Sequence, residues 1–168
     1  MKLSTPRWWY RREADHARLT RTALKPLGWL WAGVTARRIA RTTPMDPGCA
    51  VISIGNLTVG GSGKTPIARE TLRLLREAGV DAQALSRGYG GRLKGPASVD
   101  PAVHDAADVG DEPLMLAQEA PAWIARDRAA GARAAVAVGA RALVLDDAHQ
   151  NPGLLKTVSL VVVDGETR

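Results

Sequence analysis

The sequence predicts an α/β fold in which a mostly parallel sheet is flanked by helices. Three observations support this prediction. Short runs of β-branched and other apolar residues alternate along the chain with longer stretches of helical periodicity. A glycine-rich segment joins the first such run to the first such stretch. The chain has 168 residues, 45% of them apolar, so it is long enough to bury a core.

The first 43 residues differ in composition from the rest of the chain. They hold ten basic and two acidic residues, whereas the chain as a whole has a net charge of +6. Four of the five tryptophans lie in this segment: Trp8, Trp9, Trp29 and Trp31. Tryptophan and arginine together suit the headgroup region of a membrane. We therefore predict a basic, Trp-rich, membrane-facing helical segment over residues 1–43; a helix packed on the domain, with a solvated basic face, is the alternative.

The helical spacing of this segment lies in its second half. Apolar residues recur there at Leu24, Leu27, Leu30, Trp31 and Val34. The longest apolar run is far shorter than the roughly 20 residues that span a bilayer. A signal peptide is also disfavoured, because Arg37 and Arg38 stand where a small-residue cleavage site would follow. The sequence therefore predicts a protein on the cytosolic side.

The predicted sheet domain covers residues 44–168, after a break rich in proline and glycine. Its first strand is CAVISIG, residues 49–55, which is apolar and uncharged. The following helix, residues 66–79, has a predicted apolar stripe of Ile67, Thr71, Leu74, Leu75 and Ala78. A second strand at 82–88 leads into a long loop over 87–110. Further helices are predicted at 111–120 and 126–139, and further strands at 142–147 and 158–165.

The segment ISIGNLTVGGSGKTP, residues 52–66, predicts a phosphate-binding loop. Backbone N–H groups of such a loop, together with the following helix N-terminus, bind phosphates. The strict pattern G-x-x-x-x-G-K-[ST] has glycine where this chain has Thr58. Lys64 would reach the β- and γ-phosphates, and the Thr65 hydroxyl would bind Mg²⁺. The predicted nucleotide-binding residues are Thr58, Gly60, Gly61, Ser62, Gly63, Lys64 and Thr65. The sheet is thus P-loop NTPase-like.

Other polar residues are candidates for the same site. Asp146 and Asp147 end an apolar run, as does the Mg²⁺-handling carboxylate of P-loop enzymes. In the segment SRGYGGRLKGP, Arg87, Arg92 and Lys94 could bind anions or could be a solvated surface. Asp111 in VGDEP could be a proton acceptor, although its pattern alone favours a helix cap. A GTPase and a zinc site are disfavoured, since no N-K-x-D motif or Cys/His cluster is present.

Five segments, in this order and spacing, resemble the tetraacyldisaccharide 4′-kinase family of the lipid A pathway in Gram-negative bacteria. They are SIGNLTVGGSGKTP, SRGYGGRLKGP, VGDEPLMLA, RDR and LVLDDAHQNP. The family's phosphate loop also has threonine at the position of Thr58. The resemblance extends over nearly the whole chain, including the basic segment. It implies a kinase that transfers the γ-phosphate of ATP to the 4′-hydroxyl of a tetraacylated glucosamine disaccharide 1-phosphate, with Mg²⁺.

The resemblance also implies roles for single residues. Lys64, Asp111, Asp146 and Asp147 would be catalytic, with Asp111 as the base acting on the 4′-hydroxyl. Thr65 and Asp147 would bind the metal, whereas Arg87 and Gln150 would bind substrate. The partners implied are an anionic acylated disaccharide and the cytoplasmic face of the inner membrane, where the protein would be peripheral or monotopic. Nucleic acid is not an expected partner.

Two features depart from the family pattern. The family usually has glycine after the aspartate pair, where this chain has Ala148. A positive φ at that position would strain alanine. Family members are also about twice as long, so the sheet is expected to be truncated here and a C-terminal lobe to be missing. The alternatives are an inactive, membrane-bound, nucleotide-binding remnant or a P-loop kinase for another small molecule.

Overall fold

The protein is described here by a computed structural model that covers residues 15–56, 63–148 and 150–163, without the side chains of residues 15–21 and 23. The chain divides after Thr42 into two compact units. The first unit contains helix α1, Asp15–Arg41. Its described apolar side chains are exposed, namely Leu24, Leu27, Trp29, Leu30, Trp31, Val34 and Ile39. Among the described residues, no helix is long and apolar enough to cross a membrane.

The second unit is built around one six-stranded sheet. Its strands are β1 (Ala50–Asn56), β2 (Ala82–Ser86), β3 (Ala97–Val99), β4 (Ala122–Ile124), β5 (Ala142–Asp146) and β6 (Val158–Val162). The order across the sheet is β3-β4-β2-β5-β1-β6. All neighbouring strands are parallel except β3 and β4, which are antiparallel. The prediction of a mostly parallel α/β sheet is therefore confirmed.

Helices cover both faces of this sheet. They are α2 (Lys64–Glu77), α3 (Ala106–Val109), α4 (Asp111–Ala117) and α5 (Arg128–Ala137). One buried cluster joins alternate strand residues such as Ile54 and Val144 to α2 and α4, through Leu72 and Leu116. The other cluster joins the opposite strand residues, such as Leu143, to α5. This alternation is the period of two that a sheet buried on both faces requires.

The sequence prediction was wrong in three places. The region 87–110 is not loop throughout, because it contains β3 and α3, and β4 was not predicted at all. The apolar stripe predicted for α2 was also partly wrong. Ile67 and Leu74 are exposed, whereas Ala68 and Leu72 are fully buried. Both faces of α2 carry apolar residues at helical spacing, so periodicity could not tell the buried face from the exposed one.

Candidate active site

Lys64 and Thr65 are the first two residues of helix α2, the element that follows β1 in the chain. Gly63 precedes them with a φ of 75°, a left-handed conformation that favours glycine. The Lys64 ammonium donates a hydrogen bond to Asn56 Oδ1, 3.0 Å away at the end of β1. Most of the predicted loop, namely Thr58, Gly60, Gly61 and Ser62, lies outside the described residues. The described part therefore places the lysine and threonine at the carboxyl end of β1.

Two adjacent carboxylates meet these side chains from the neighbouring strand. Asp146 ends β5, which pairs with β1 so that Ile54 lies opposite Asp146. The Thr65 hydroxyl donates to Asp146 Oδ2 at 3.2 Å. The Lys64 Nζ lies 3.5 Å from Asp147 Oδ1. The family resemblance implies Thr65 and Asp147 as metal ligands; in the structure Asp146 lies beside Thr65, and Asp147 lies beside Lys64.

The turn after β5 accounts for how both carboxylates reach the start of α2. Asp147 has a φ of 52°, the left-handed conformation that aspartate tolerates better than most residues. Ala148 is fully buried in the core, and it is not among the described residues with positive φ. The positive φ considered for position 148 therefore occurs at Asp147 instead. Alanine at position 148 does not have to adopt a conformation that favours glycine.

The site contains closely spaced charges of both signs. Burial raises the pKa of Asp146, and the charge of Asp147 raises it further while the Thr65 hydrogen bond opposes this. The pKa of Glu112 is raised by burial first and then by Asp146 and Asp147. Asp146 is only 1% exposed. A cation that contacts the Asp146 carboxylate would therefore offset the cost of burying its charge.

The residues present fit a magnesium ion that is shared with a bound phosphate. Asp146 Oδ1 is buried and has no hydrogen-bond partner among the described residues. Mg²⁺ is commonly held by one or two carboxylates, waters and substrate phosphates rather than by a full set of protein ligands. The described part of the chain has no group of three or more His, Cys, Asp or Glu that could hold a metal ion.

The loop that contains SRGYGG packs directly against the segment that contains VGDEP. A Cβ at Gly110 would overlap the Tyr89 carbonyl oxygen, and Gly110 has a φ of 92°. A Cβ at Gly91 would lie 2.6 Å from the Asp108 carbonyl oxygen. Arg92 forms an ion pair with Asp108 at 2.5 Å. The two motifs therefore form one structural unit. Because Gly91 and Gly110 have no side chains, the two backbone segments can come into direct contact.

The other predicted site residues, Asp111, Arg87 and Gln150, lie at the start of α4 or just beyond the ends of β2 and β5. Asp111 is the first residue of α4; the cap position is Gly110, and no side chain caps this helix. Asp111 therefore does not cap α4, although its sequence pattern favours that role. Arg87 directly follows β2 and is exposed, and Gln150 is exposed beyond Ala148. Arg92, a candidate anion ligand, is engaged by Asp108 instead.

Three residues of the site were not predicted from the sequence. Asn56 contacts the Lys64 ammonium, and its signal was a polar residue ending a buried strand. Glu112 is coupled electrostatically to the aspartate pair, and it stands beside Asp111 in VGDEP. Arg128, from the segment RDR, is 5% exposed. Burial, and after it the charge of Arg87, lowers the pKa of Arg128 to about 10.

Comparisons with known proteins identify the relatives of this chain. The family model described as tetraacyldisaccharide-1-P 4′-kinase matches residues 20–168. Proteins named tetraacyldisaccharide 4′-kinase from Caulobacter sp. strain K31 and Caulobacter vibrioides are 63% and 64% identical over the whole chain, which covers 50% of each. The chain thus spans about half the length of the curated relatives it matches.

A solved structure shows the same fold. It is LpxK from Aquifex aeolicus in complex with ATP, which matches with a TM-score of 0.73 and 25% identity. The match covers 88% of this chain and 50% of that one. Sequence and structure thus point to the same family, and the match begins within the described helix α1. This chain belongs to the tetraacyldisaccharide-1-P 4′-kinase family.

Proposed function

We propose that this chain is the nucleotide-binding part of a kinase that phosphorylates the 4′-hydroxyl of a tetraacylated glucosamine disaccharide 1-phosphate with ATP. The supporting observation is that Thr65 contacts Asp146 and Lys64 contacts Asp147. Both contacts lie at the carboxyl ends of the adjacent parallel strands β1 and β5. Ligands of open α/β sheets bind at that edge. The ATP complex of the Aquifex relative supports the nucleotide, and the family supports the acceptor.

In this proposal the start of α2 holds the phosphates of ATP. Gly60, Gly61, Ser62 and Gly63, with Thr58, would wrap the phosphates with backbone N–H groups, and the Lys64 ammonium would contact the β- and γ-oxygens. Thr65 and Asp147, together with the closer Asp146, would hold Mg²⁺. Such an ion neutralises charge on the phosphate oxygens when it is bound. The Lys64 ammonium would exchange its contact with Asp147 for phosphate.

Asp111 is the proposed general base. The 4′-hydroxyl oxygen would attack the γ-phosphorus, the bond to the β–γ bridging oxygen would break, and Asp111 would take the hydroxyl proton as ADP leaves. Two facts support this role: its carboxylate does not cap α4, and its neighbour Glu112 is coupled to the aspartate pair. Arg87 and Gln150, both exposed, are the proposed substrate contacts.

Residues 1–43 are proposed to place the protein on the cytoplasmic face of the inner membrane, near its acylated and anionic substrate. The support is the chemistry of α1: its described tryptophan and leucine side chains are exposed, and its last turn carries Arg38 and Arg41. Such a helix can bind in the interface of an anionic membrane without spanning it. The sheet domain over residues 44–168 would then be the kinase lobe, completed by a second lobe.

ATP binding by this chain tests the first half of the proposal. Lys64→Met should weaken ATP binding roughly tenfold to hundredfold, because one charge-assisted hydrogen bond is worth about 1.5–3 kcal/mol. Arg141→Met is the control, since Arg141 is exposed and precedes β5 at the opposite edge of the sheet. Isothermal titration calorimetry measures both. Unchanged affinity in Lys64→Met would refute the phosphate role of the loop.

Phosphoryl transfer tests the second half. The chain is incubated with ATP, Mg²⁺ and tetraacyldisaccharide 1-phosphate, with the Caulobacter vibrioides relative as positive control. Formation of the 4′-phosphate supports the proposal. ATP binding without transfer would favour the nucleotide-binding remnant instead. Transfer only to a soluble acceptor, with liposome binding unaffected by deletion of residues 1–43, would favour a different P-loop kinase.

A further inference from the structure

Arg128 is a buried cation to which the proposed reaction gives no role. It is the first residue of α5, after the N-cap Asp127, and it is 5% exposed. Its Nη1 donates to the Ala125 carbonyl oxygen at 3.0 Å, and its Nη2 donates to the Asp146 carbonyl oxygen at 3.4 Å. Its Nε has no hydrogen-bond partner among the described residues. Burying a guanidinium costs free energy unless its donors find acceptors, so these two hydrogen bonds are what compensates the burial.

The two carbonyl groups belong to strands that do not pair with each other. Ala125 directly follows β4, and Asp146 ends β5. Strand β2 lies between these two strands in the sheet. The guanidinium therefore bridges β4 and β5 beyond the carboxyl end of β2, at the edge of the sheet that carries the candidate site. A guanidinium suits this position, because its rigid fork presents separate donors to the two acceptors.

The bridged carbonyl lies in the peptide that sets the direction of both carboxylates. Along a regular strand, successive side chains point to opposite faces. Here Asp146 contacts Thr65 and Asp147 contacts Lys64, so both reach the first turn of α2. The φ of 52° at Asp147 makes this possible. Such a conformation persists only where its surroundings hold it.

We propose that Arg128 is a positioning residue, which bridges the Ala125 and Asp146 carbonyl groups and thereby holds the Asp146–Asp147 peptide so that one carboxylate faces Thr65 and the other faces Lys64. It acts through the peptide and touches neither substrate nor phosphate. A purely structural arginine would support the end of the sheet without controlling the direction of the carboxylates. The consequence for Mg²⁺ rests on the proposed function, whereas the conformation of Asp147 does not.

The first test needs no ligand. The φ of Asp147 is measured by NMR, from the amide–Hα coupling and backbone chemical shifts, in the folded chain and in Arg128→Met. We expect the variant to lose the positive φ. The control is Arg133→Met, which removes an exposed guanidinium from the same helix and should leave Asp147 unchanged. A folded Arg128→Met that keeps the positive φ overturns the proposal.

Arg128→Lys provides a second variant that keeps the charge. Its ammonium is a point charge on a flexible stem, so it lacks the rigid fork that places two nitrogens on the two carbonyl groups. We expect it to fold and to show signals of Asp147 and Ala148 that differ from the unsubstituted chain. If these signals are identical, the bridging claim is wrong. Loss of folding in both Arg128 variants would also overturn the proposal, in favour of a purely structural role.

The second test compares ATP affinity with and without Mg²⁺. Residues that orient metal ligands typically alter metal affinity about tenfold to hundredfold. We expect Arg128→Met to reduce the Mg²⁺-dependent gain in ATP affinity about tenfold and to leave the Mg²⁺-free affinity unchanged. An equal loss under both conditions overturns the positioning role. If the unsubstituted chain binds no ATP, the proposed function fails, while the NMR measurement still decides this inference.

Discussion

Substituting Gly110 by alanine tests whether the two loop motifs form one unit in front of Asp111. Gly110 has a φ of 92° and a ψ of 160°, a combination that is essentially restricted to glycine. A Cβ there would also overlap the Tyr89 carbonyl oxygen. Alanine must therefore either strain the backbone or push the loop that contains Tyr89 away. Either change alters the segment that begins α4 at Asp111.

The expected cost can be separated into a backbone part and a contact part. Gly48 has a φ of 79°, and a Cβ added there would meet nothing within 4 Å. Gly48→Ala should therefore cost only the backbone part, about 1 kcal/mol. Gly110→Ala adds the overlap, so we expect at least about 3 kcal/mol in the free energy of unfolding. For a chain of this length the Tm falls roughly 2–4 °C per kcal/mol.

Thermal unfolding followed by circular dichroism compares the two variants with the unsubstituted chain. We expect Gly110→Ala to unfold well below Gly48→Ala. We expect its ATP affinity to stay normal, because the atoms nearest an added Cβ belong to Tyr89 and Gly88. Equal Tm values for the two variants would refute the close contact between the Tyr89 carbonyl and Gly110. Weakened ATP binding in Gly110→Ala alone would refute the separation of this unit from the phosphate site.

Three further variants test the charges of the site and of its loop. Because burial raises the pKa of Asp146, the folded chain holds that proton more tightly than the unfolded chain, and stability is lost as the pH rises through the folded pKa. Asp146→Asn should therefore raise the Tm at pH 7 and leave it nearly unchanged at about pH 3; an unchanged Tm at pH 7 contradicts this. Thr65→Val should weaken ATP binding about tenfold only in the presence of Mg²⁺, as measured by calorimetry, since its hydroxyl orients Asp146. Thr71→Val, whose hydroxyl donates to a backbone carbonyl within α2, is its control. The pKa of Asp108 is lowered, chiefly by its backbone hydrogen bond and also by Arg92. The ionised carboxylate therefore stabilises the folded chain above its ordinary pKa, and this contribution is lost as the pH falls through the lowered pKa. Arg92→Met should thus lower the Tm by more at pH 7 than at the lowest pH at which the chain stays folded, and an equal loss at both would contradict the ion pair.

The sequence predicted those elements whose signals are local. Strand β1 has no charged residue, and β5 has none before its last residue, Asp146. The Gly63-Lys64-Thr65 step marks the start of α2 whatever packs around it. In contrast, β3 and β4 have three residues each and exist because β3 pairs with β4 and β4 pairs with β2. Such pairing is non-local, so no window of sequence around Ala97 or Ala122 contains it.

The same distinction applies to the candidate site. The residue types were predictable, because lysine, threonine and carboxylates have known roles around phosphates. Their partners were not, because the order β2-β5-β1 decides that Asp146 and Asp147 stand next to α2. Asn56 and Arg128 gave weaker signals still. An amide or a guanidinium becomes informative only when its burial and its acceptors are known, as in the 3.0 Å contact between Arg128 and Ala125.

The two aspartates differ in a way that links stability to ligand binding. Asp147 is 67% exposed and lies beside Lys64, so water and the ammonium compensate its charge. Asp146 is 1% exposed, and one of its oxygens has no partner among the described residues. A buried carboxylate without full compensation lowers the stability of the folded chain at neutral pH. A cation that binds this oxygen only in the folded state recovers that loss as binding free energy. Neutralising Asp146 would therefore stabilise the protein and weaken cation binding together, which is the pattern expected of a functional rather than a structural carboxylate.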